Sequence, residues 1–362
     1  MRLLFFNPEN DLALAAGTSH YTPPASALQM AADLERLPLR WAKADDLILL
    51  RDGTLVRGHG SQPISHAESA DGLLYSSLEY VLPWGWSPLL VKQLRELNVP
   101  TVLLPTDDEM EAYRAYSSRK TAVGLLARLQ AGWDEAFACG TLVGTSAWCT
   151  SEEEAVEAIK AYGCQAILKA PWSGSGRGVH PVRQVPLSDK TVAWMRRTLH
   201  NQGGVEVEPL YDKVQDFAFE FWAEGGKVSY EGLSLFDTTA GGVYAGNLVA
   251  SEDEKVRRLS RYVPQALVEE TCGRLSAILS TSGLPRWYTG PLGVDLMIVA
   301  TDTSFSIHPL VEINLRMTMG WVALQLTDEL PPDEMGVFCI RQHDGRYQAL
   351  LTENKESNKK NK

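Results

Sequence analysis

The run His308-Pro309-Leu310-Val311-Glu312-Ile313-Asn314-Leu315-Arg316 constrains this chain more than any other segment. It reads as a strand, and strand side chains alternate between faces. Glu312, Asn314 and Arg316 then point one way, and Val311, Ile313 and Leu315 the other. One face is apolar, while the other carries a carboxylate, a carboxamide and a guanidinium. The first two supply hard oxygen ligands of the kind that hold magnesium, and the third can bind an anion beside them.

The rest of the chain has to be large enough to build around such a strand. It has 362 residues, of which 44% are hydrophobic and 22% charged, enough for two or three domains. A formal net charge of -11 argues against non-specific binding to nucleic acid or to an anionic membrane surface. The five cysteines, Cys139, Cys149, Cys164, Cys272 and Cys339, are odd in number and contain no C-x-x-C pair. A reducing compartment, the cytoplasm, is therefore the expectation. The apolar start Leu3-Leu4-Phe5-Phe6 stops at Asn7-Pro8-Glu9-Asn10-Asp11, too early for a signal peptide, and reads as a first buried strand. No stretch approaches the roughly 18 apolar residues of a membrane span.

Periodicity and punctuation give the elements. Helices are expected over 25–37 and 88–97, with a short strand at 101–104; alternating strands and helices suggest a parallel sheet. Residues 106–131 read as two helices broken near Ser117-Ser118. Ser151-x-x-Glu154 is a capping box opening a helix to about Tyr162. A strand follows at 165–170, then an extended piece at 179–182 and a helix at 187–201 closed by Gly203-Gly204. Strands are expected at 205–208, 216–223 and 228–236, the last two joined by a Gly225-Gly226 turn. A long helix over 259–282 precedes a final strand pair, 293–300 and 304–315.

Several segments carry chemistry. In Ser173-Gly174-Ser175-Gly176-Arg177-Gly178 the glycines let backbone N–H groups approach an anion, and Arg177 adds charge. A plain flexible hairpin loop is the competing reading. Lys169, in the apolar strand just before it, needs a partner such as phosphate, or else is an edge lysine whose head reaches water. Val205-Glu206-Val207-Glu208-Pro209-Leu210 is a strand entering a proline turn that can offer backbone groups to a flat base, with Asp216 further on for ribose hydroxyls. A solvated sheet-edge turn is its alternative. Asp295, in Gly293-Val294-Asp295-Leu296-Met297, approaches Glu312 and Asn314 if the last two strands form a hairpin. Three oxygen donors there would hold one or two magnesium ions, against the simpler pairing of Asp295 with Arg316. Asn7, Glu9, Asn10 and Asp11, with His20 and Tyr21, follow the first strand, where open α/β sheets bind ligands, unless they only form a hydrogen-bonded turn.

Taken in order, Ser118-Arg119-Lys120, Ile167-Leu168-Lys169 with its glycine-rich loop, Val207-Glu208-Pro209-Leu210, Gly293 to Met297 and Val311 to Arg316 resemble the ATP-grasp superfamily. The resemblance spans residues 117 to about 325. It implies an N-terminal parallel α/β pre-ATP-grasp domain (1–105) before an ATP-grasp domain (106–352) of two α+β subdomains that clasp the nucleotide. The small lid subdomain would cover about 140–210 and the C-terminal subdomain about 211–352, with 353–362 a disordered tail. By the same resemblance Lys120 and Lys169 would contact the α- and β-phosphates, and Ser173, Gly174, Ser175, Gly176, Arg177 and Gly178 would close over them. Glu208, Pro209 and Leu210 would hold adenine, and Asp216 or Asp212 the ribose. Asp295, Glu312 and Asn314 would bind Mg2+, while Arg316, with Lys169, would act in catalysis. Tyr211-Asp212-Lys213 after the hinge, Pro171-Trp172 in the loop and Met317-Thr318-Met319-Gly320 after Arg316 depart from the family pattern.

The function this implies is an ATP- and magnesium-dependent ligase that joins a carboxylate to an amine or similar nucleophile through an acyl phosphate. A phosphotransferase on the same fold, or a non-catalytic nucleotide-binding protein, are the alternatives. The expected partners are small-molecule carboxylate and amine substrates, without nucleic acid or membrane. The oligomeric state is open, a homodimer among the options.

Overall fold

A computed structural model describes residues 1–58, 75, 77–133, 140–173, 178–239, 242–331 and 334–353. Gly174 to Arg177 of the glycine-rich loop, Cys139, and the tail from 354 onward lie outside the described residues. The fold is mixed α/β and divides by contact into two compact units. Unit 1 takes residues 1–113, 246–251 and 316–362; unit 2 takes 114–245 and 252–315.

Unit 1 is built on the first strand, Arg2–Phe5. It pairs in parallel with Leu47–Leu49 on one side and Tyr80–Pro83 on the other, and Leu55–Arg57 closes the edge antiparallel. Leu3, Leu4, Leu47 and Ile48 are fully buried in it. The helix Pro88–Glu96 starts where expected, with Ser87 Oγ accepting from Leu90 N and a proline at the first helical position. Thr101–Leu103 is a 3-10 turn and not the expected strand. The alternation there was too short to specify burial: Val102 is 88% exposed. Unit 1 also holds an antiparallel ribbon, in which Gly336–His343 pairs with Arg346–Glu353 and with the strand Tyr244–Val249. Glu353 thus ends a strand and does not begin a tail.

Unit 2 contains a small antiparallel sheet in the order Ala147–Cys149, Val205–Pro209, Ala166–Lys169, Val179–Val182. The helices Glu152–Ala161 and Asp189–Gln202 contribute Ala155, Ile159 and Met195 to a core with Ala166, Leu168, Val205 and Val207. Ser151 caps the first helix through Glu154 N, and Glu154 reaches back to Thr150 N at 2.7 Å, one residue earlier than a standard capping box. The second helix ends on Gly203 at φ 78°.

The larger sheet of unit 2 places Lys213–Glu224 between Lys227–Thr238 and Gly290–Ala300, with Phe305–Asn314 outside the latter. Gly225 and Gly226, at φ 58° and 81°, form the tight turn predicted between the first two strands. Phe217, Phe219 and Phe221 are buried on one face; Asp216, Ala218 and Glu220 alternate to the other. The long helix expected over 259–282 runs over Gln265–Thr281, and a separate helix, Glu252–Leu259, precedes it. Pro264 caps the longer one, because proline lacks the N–H that a continuous helix would require of it.

Leu168 is fully buried in the core of the small sheet. Leu168→Ala should cost about 2–5 kcal/mol in chemical denaturation. A loss under about 1 kcal/mol would show that this face is not the packed one.

Candidate functional site

The small sheet buries one face in apolar side chains and loads the other with charge. Its register sets Lys169 opposite Glu206 and Ile167 opposite Glu208. Side chains two apart on a strand share a face, so Lys169, Glu206 and Glu208 gather on the side away from Leu168 and Val207. Lys169 Nζ lies 2.6 Å from Glu208 Oε2 and 3.8 Å from Glu206 Oε1. All three side chains are at most 5% exposed.

His308 joins them from the strand Phe305–Asn314, with Nε2 2.7 Å from Glu208 Oε1 and its ring edge-on to Tyr211. It is completely buried. Gly144, at φ 120°, makes the space: a Cβ there would sit 2.7 Å from His308 Nε2.

Arg119 completes the cluster. It is the first residue of the helix Arg119–Ala131, whose N-cap is Ser118. Its Nη1 donates to Ala170 O at 2.7 Å and to Ser173 Oγ at 2.8 Å. Its Nη2 donates to Glu312 Oε2 at 2.6 Å, and its Nε stands 3.7 Å from Glu206 Oε2. Two cations, Arg119 and Lys169, thus face three carboxyl groups, Glu206, Glu208 and Glu312.

The protonation states follow from burial and neighbours. Burial disfavours the Lys169 ammonium, but Glu206 and Glu208 outweigh it and hold the group charged above the ordinary lysine range. Burial, reinforced by Glu208, pushes the Glu206 carboxyl up despite Lys169 and Arg119. For Glu208 burial acts the same way, yet Lys169 and His308 win and hold it below the usual carboxylate range. Among the described residues, Lys169 Nζ, Arg119 Nε and Glu206 Oε2 are buried without a well-formed hydrogen bond. The two donors among them, Lys169 Nζ and Arg119 Nε, suit an incoming anion rich in acceptor oxygens.

The oxygen donors expected for magnesium sit on the larger sheet. Gly290–Ala300 and Phe305–Asn314 form the anticipated hairpin, and Asp295 is paired directly with Glu312. A bulge after Asp295 separates this pair from Met297 and His308. Asn314 Nδ2 donates to Asp295 Oδ2 at 3.1 Å, so the three groups converge. Among the described residues no set of three His, Cys, Asp or Glu side chains gathers as a ready-made metal site. Two carboxylates and an amide are a donor set that suits magnesium, which keeps waters and phosphate oxygens in its shell.

Other expected residues fall elsewhere. The Lys120 side chain is exposed, and it is Arg119 that enters the cluster. The helix stripe shows why: Arg119, Ala122, Leu126 and Leu129 recur at spacings of three and four and are buried, while Lys120 turns away. Asp216 accepts from Lys213 Nζ at 2.5 Å and from Thr238 Oγ1 at 2.9 Å, and Asp212 is exposed. Leu210 N donates to Gln165 O at 3.1 Å, which commits one backbone donor of the proposed adenine hinge. Arg316 does not share the strand with Glu312 and Asn314. The strand ends at Asn314, and Arg316 Nε, in unit 1, meets Asp11 Oδ1 at 2.9 Å. Asp295 accepts a hydrogen bond from Asn314. The turn after the first strand is also firmly built: Asn7 bonds both Gly85 O and Gly85 N, and Glu9 pairs with Arg51 at 3.1 Å.

No protein-family model matches the chain, and no curated protein does. Solved structures resemble it at low identity. N5-carboxyaminoimidazole synthetase from Staphylococcus aureus, complexed with ADP, is 12% identical over 94% of this chain and 82% of its own, with a TM-score of 0.47. A biotin carboxylase complex from Campylobacter jejuni is 15% identical over 76% of this chain and 61% of its own, at 0.47. A protein from Archaeoglobus fulgidus described as ATP-grasp is 13% identical over 98% and 99%, again at 0.47. Among the described residues, no helix is long and apolar enough to cross a membrane.

Replacing Arg119 tests the geometry. Arg119→Gln strips a buried guanidinium from Glu206 and Glu312 and should cost about 3–5 kcal/mol in denaturant unfolding of the ligand-free protein. Lys120→Ala should stay within about 0.5 kcal/mol of wild type. The reverse order of effects would contradict the placement of the two side chains.

Proposed function

We propose that this chain is an ATP- and magnesium-dependent ligase of the ATP-grasp kind, which activates a small-molecule carboxylate for attack by an amine or similar nucleophile. One observation carries the reading. Two buried cations, Lys169 and Arg119, adjoin a hairpin bearing Asp295, Glu312 and Asn314, and Arg119 bonds Glu312 directly. Cations for phosphate oxygens next to hard oxygen donors for magnesium are what phosphoryl transfer demands, since it proceeds largely by positioning and charge neutralisation.

In this reading Lys169 and Arg119 exchange their carboxylate partners for phosphate oxygens. Ser173 and Gly178 bound the loop that covers those phosphates, and Glu208 to Leu210 form the edge on which the base rests. Asp216 serves the ribose once Lys213 and Thr238 release it. Asp295, Glu312 and Asn314 would hold magnesium, which would supply positive charge to offset that of the phosphates. A carboxylate oxygen of the substrate attacks the γ-phosphorus, and the bond to ADP breaks. The amine then attacks the acyl carbon, phosphate departs with the C–O bond electrons, and the amine proton passes to solvent. Arg316, already neutralised by Asp11, is given no step.

A thermal-shift titration with magnesium and ADP or ATP tests the site. Wild type should melt at higher temperature with nucleotide. Lys169→Ala should lose the nucleotide-dependent part of the shift and Glu312→Gln the magnesium-dependent part. No shift with either nucleotide would remove the basis of the proposal. Products then identify the reaction: ADP with free phosphate fits a ligase, and a phosphorylated acceptor a phosphotransferase.

A further inference from the structure

Glu206 stands out in the charged cluster because it is the carboxylate with the weakest hold on its partners. Lys169 is 2.6 Å from Glu208 but 3.8 Å from Glu206, and Arg119 is 2.6 Å from Glu312 but 3.7 Å from Glu206. Glu206 Oε1 accepts from Ser146 Oγ at 2.6 Å, and Oε2 has no hydrogen-bond partner among the described residues. Its side chain is 3% exposed.

The other two carboxylates have somewhere to turn if a polyphosphate takes the cations. Glu208 keeps His308 at 2.7 Å, and Glu312 is 22% exposed on the strand of the magnesium donors. Glu206 has neither recourse. The groups facing it are Lys169 from the neighbouring strand, Arg119 from its helix, Glu208 on its own strand, the Ser146 hydroxyl, and Tyr162 at the end of the helix Glu152–Ala161. Once Lys169 and Arg119 turn to phosphate, only anionic and neutral groups remain. A buried carboxylate in that position, beside an added polyanion, is far costlier than a carboxylic acid.

We propose that Glu206 is a proton-accepting counter-ion of the nucleotide site: it neutralises Lys169 and Arg119 in the empty protein and takes up a proton from solvent when phosphate displaces it. This rests on the nucleotide reading above and adds a property that a bare lysine–arginine site would lack.

Isothermal titration of the full chain with MgADP, in buffers of differing ionisation enthalpy at one pH between 7 and 8, counts the protons exchanged. Wild type should take up a fraction of a proton approaching one per nucleotide bound, to within the nucleotide's own titration. Glu206→Gln should abolish that uptake and bind MgADP more tightly, since the competing charge is gone. Equal uptake by Glu206→Gln and wild type, or none in wild type, would overturn the assignment. If the variant does not fold, wild type decides alone. Its affinity for MgADP should weaken as pH rises above 7, with a slope of up to about tenfold per unit; a flat profile to pH 8.5 would refute it. Absence of any binding would instead count against the nucleotide site itself, so the two failures are distinguishable.

Discussion

The buried guanidinium of Arg119 is the interaction on which the rest of the site depends. One planar side chain links four segments of unit 2: its own helix, the carbonyl of Ala170 with the hydroxyl of Ser173, the strand of Glu206, and Glu312 on the large sheet. Arginine is suited to this because its donors diverge in a fixed plane and its charge persists under burial. Burying it obliges the surrounding residues to supply carboxylates. Those carboxylates in turn make it tolerable to bury Lys169, which lies 2.6 Å from Glu208 and 3.8 Å from Glu206. Such a network is poor at adding stability, because desolvation offsets most of the attraction. Its retention in the interior therefore asks for a role in binding.

Much of this was legible in the sequence because period-two alternation is a strong signal. It set Glu312 and Asn314 on one face, and the apolar strand around Asp295 identified the partner that the register then confirmed. Gly225-Gly226 gave its hairpin for an equally local reason, a turn that needs two positive φ angles. The alternation misled only past its end: Arg316 continues the pattern in sequence, but the strand has stopped.

What stayed hidden depended on register or on helix phase. The resemblance gave the phosphate role to Lys120 and none to Arg119, but the buried stripe through Ala122, Leu126 and Leu129 fixes which side of the helix faces inward. That stripe was readable and would have pointed to Arg119. Glu206 could not be recognised alone, since an acid two residues from Glu208 in a strand is ordinary; only the pairing opposite Lys169 gives it meaning. His308 matched no role in sequence, and its contact with Glu208 comes from two strands in different sheets. In unit 1, Asn7 to Asp11 had equal claims as ligand site and as turn. The double bond of Asn7 to Gly85 and the pairs Glu9–Arg51 and Asp11–Arg316 show that the turn is braced from several sides.

The central claim is that the cluster of Arg119, Lys169 and their glutamates is the empty form of a polyphosphate site. A crystal structure of the chain grown with magnesium and ADP tests it most directly. The account predicts phosphate oxygens within hydrogen-bond reach of Lys169 Nζ and Arg119, Glu312 turned to the metal, and Lys169 drawn away from Glu208. Nucleotide bound at another place, with the present ion pairs unchanged, would contradict it.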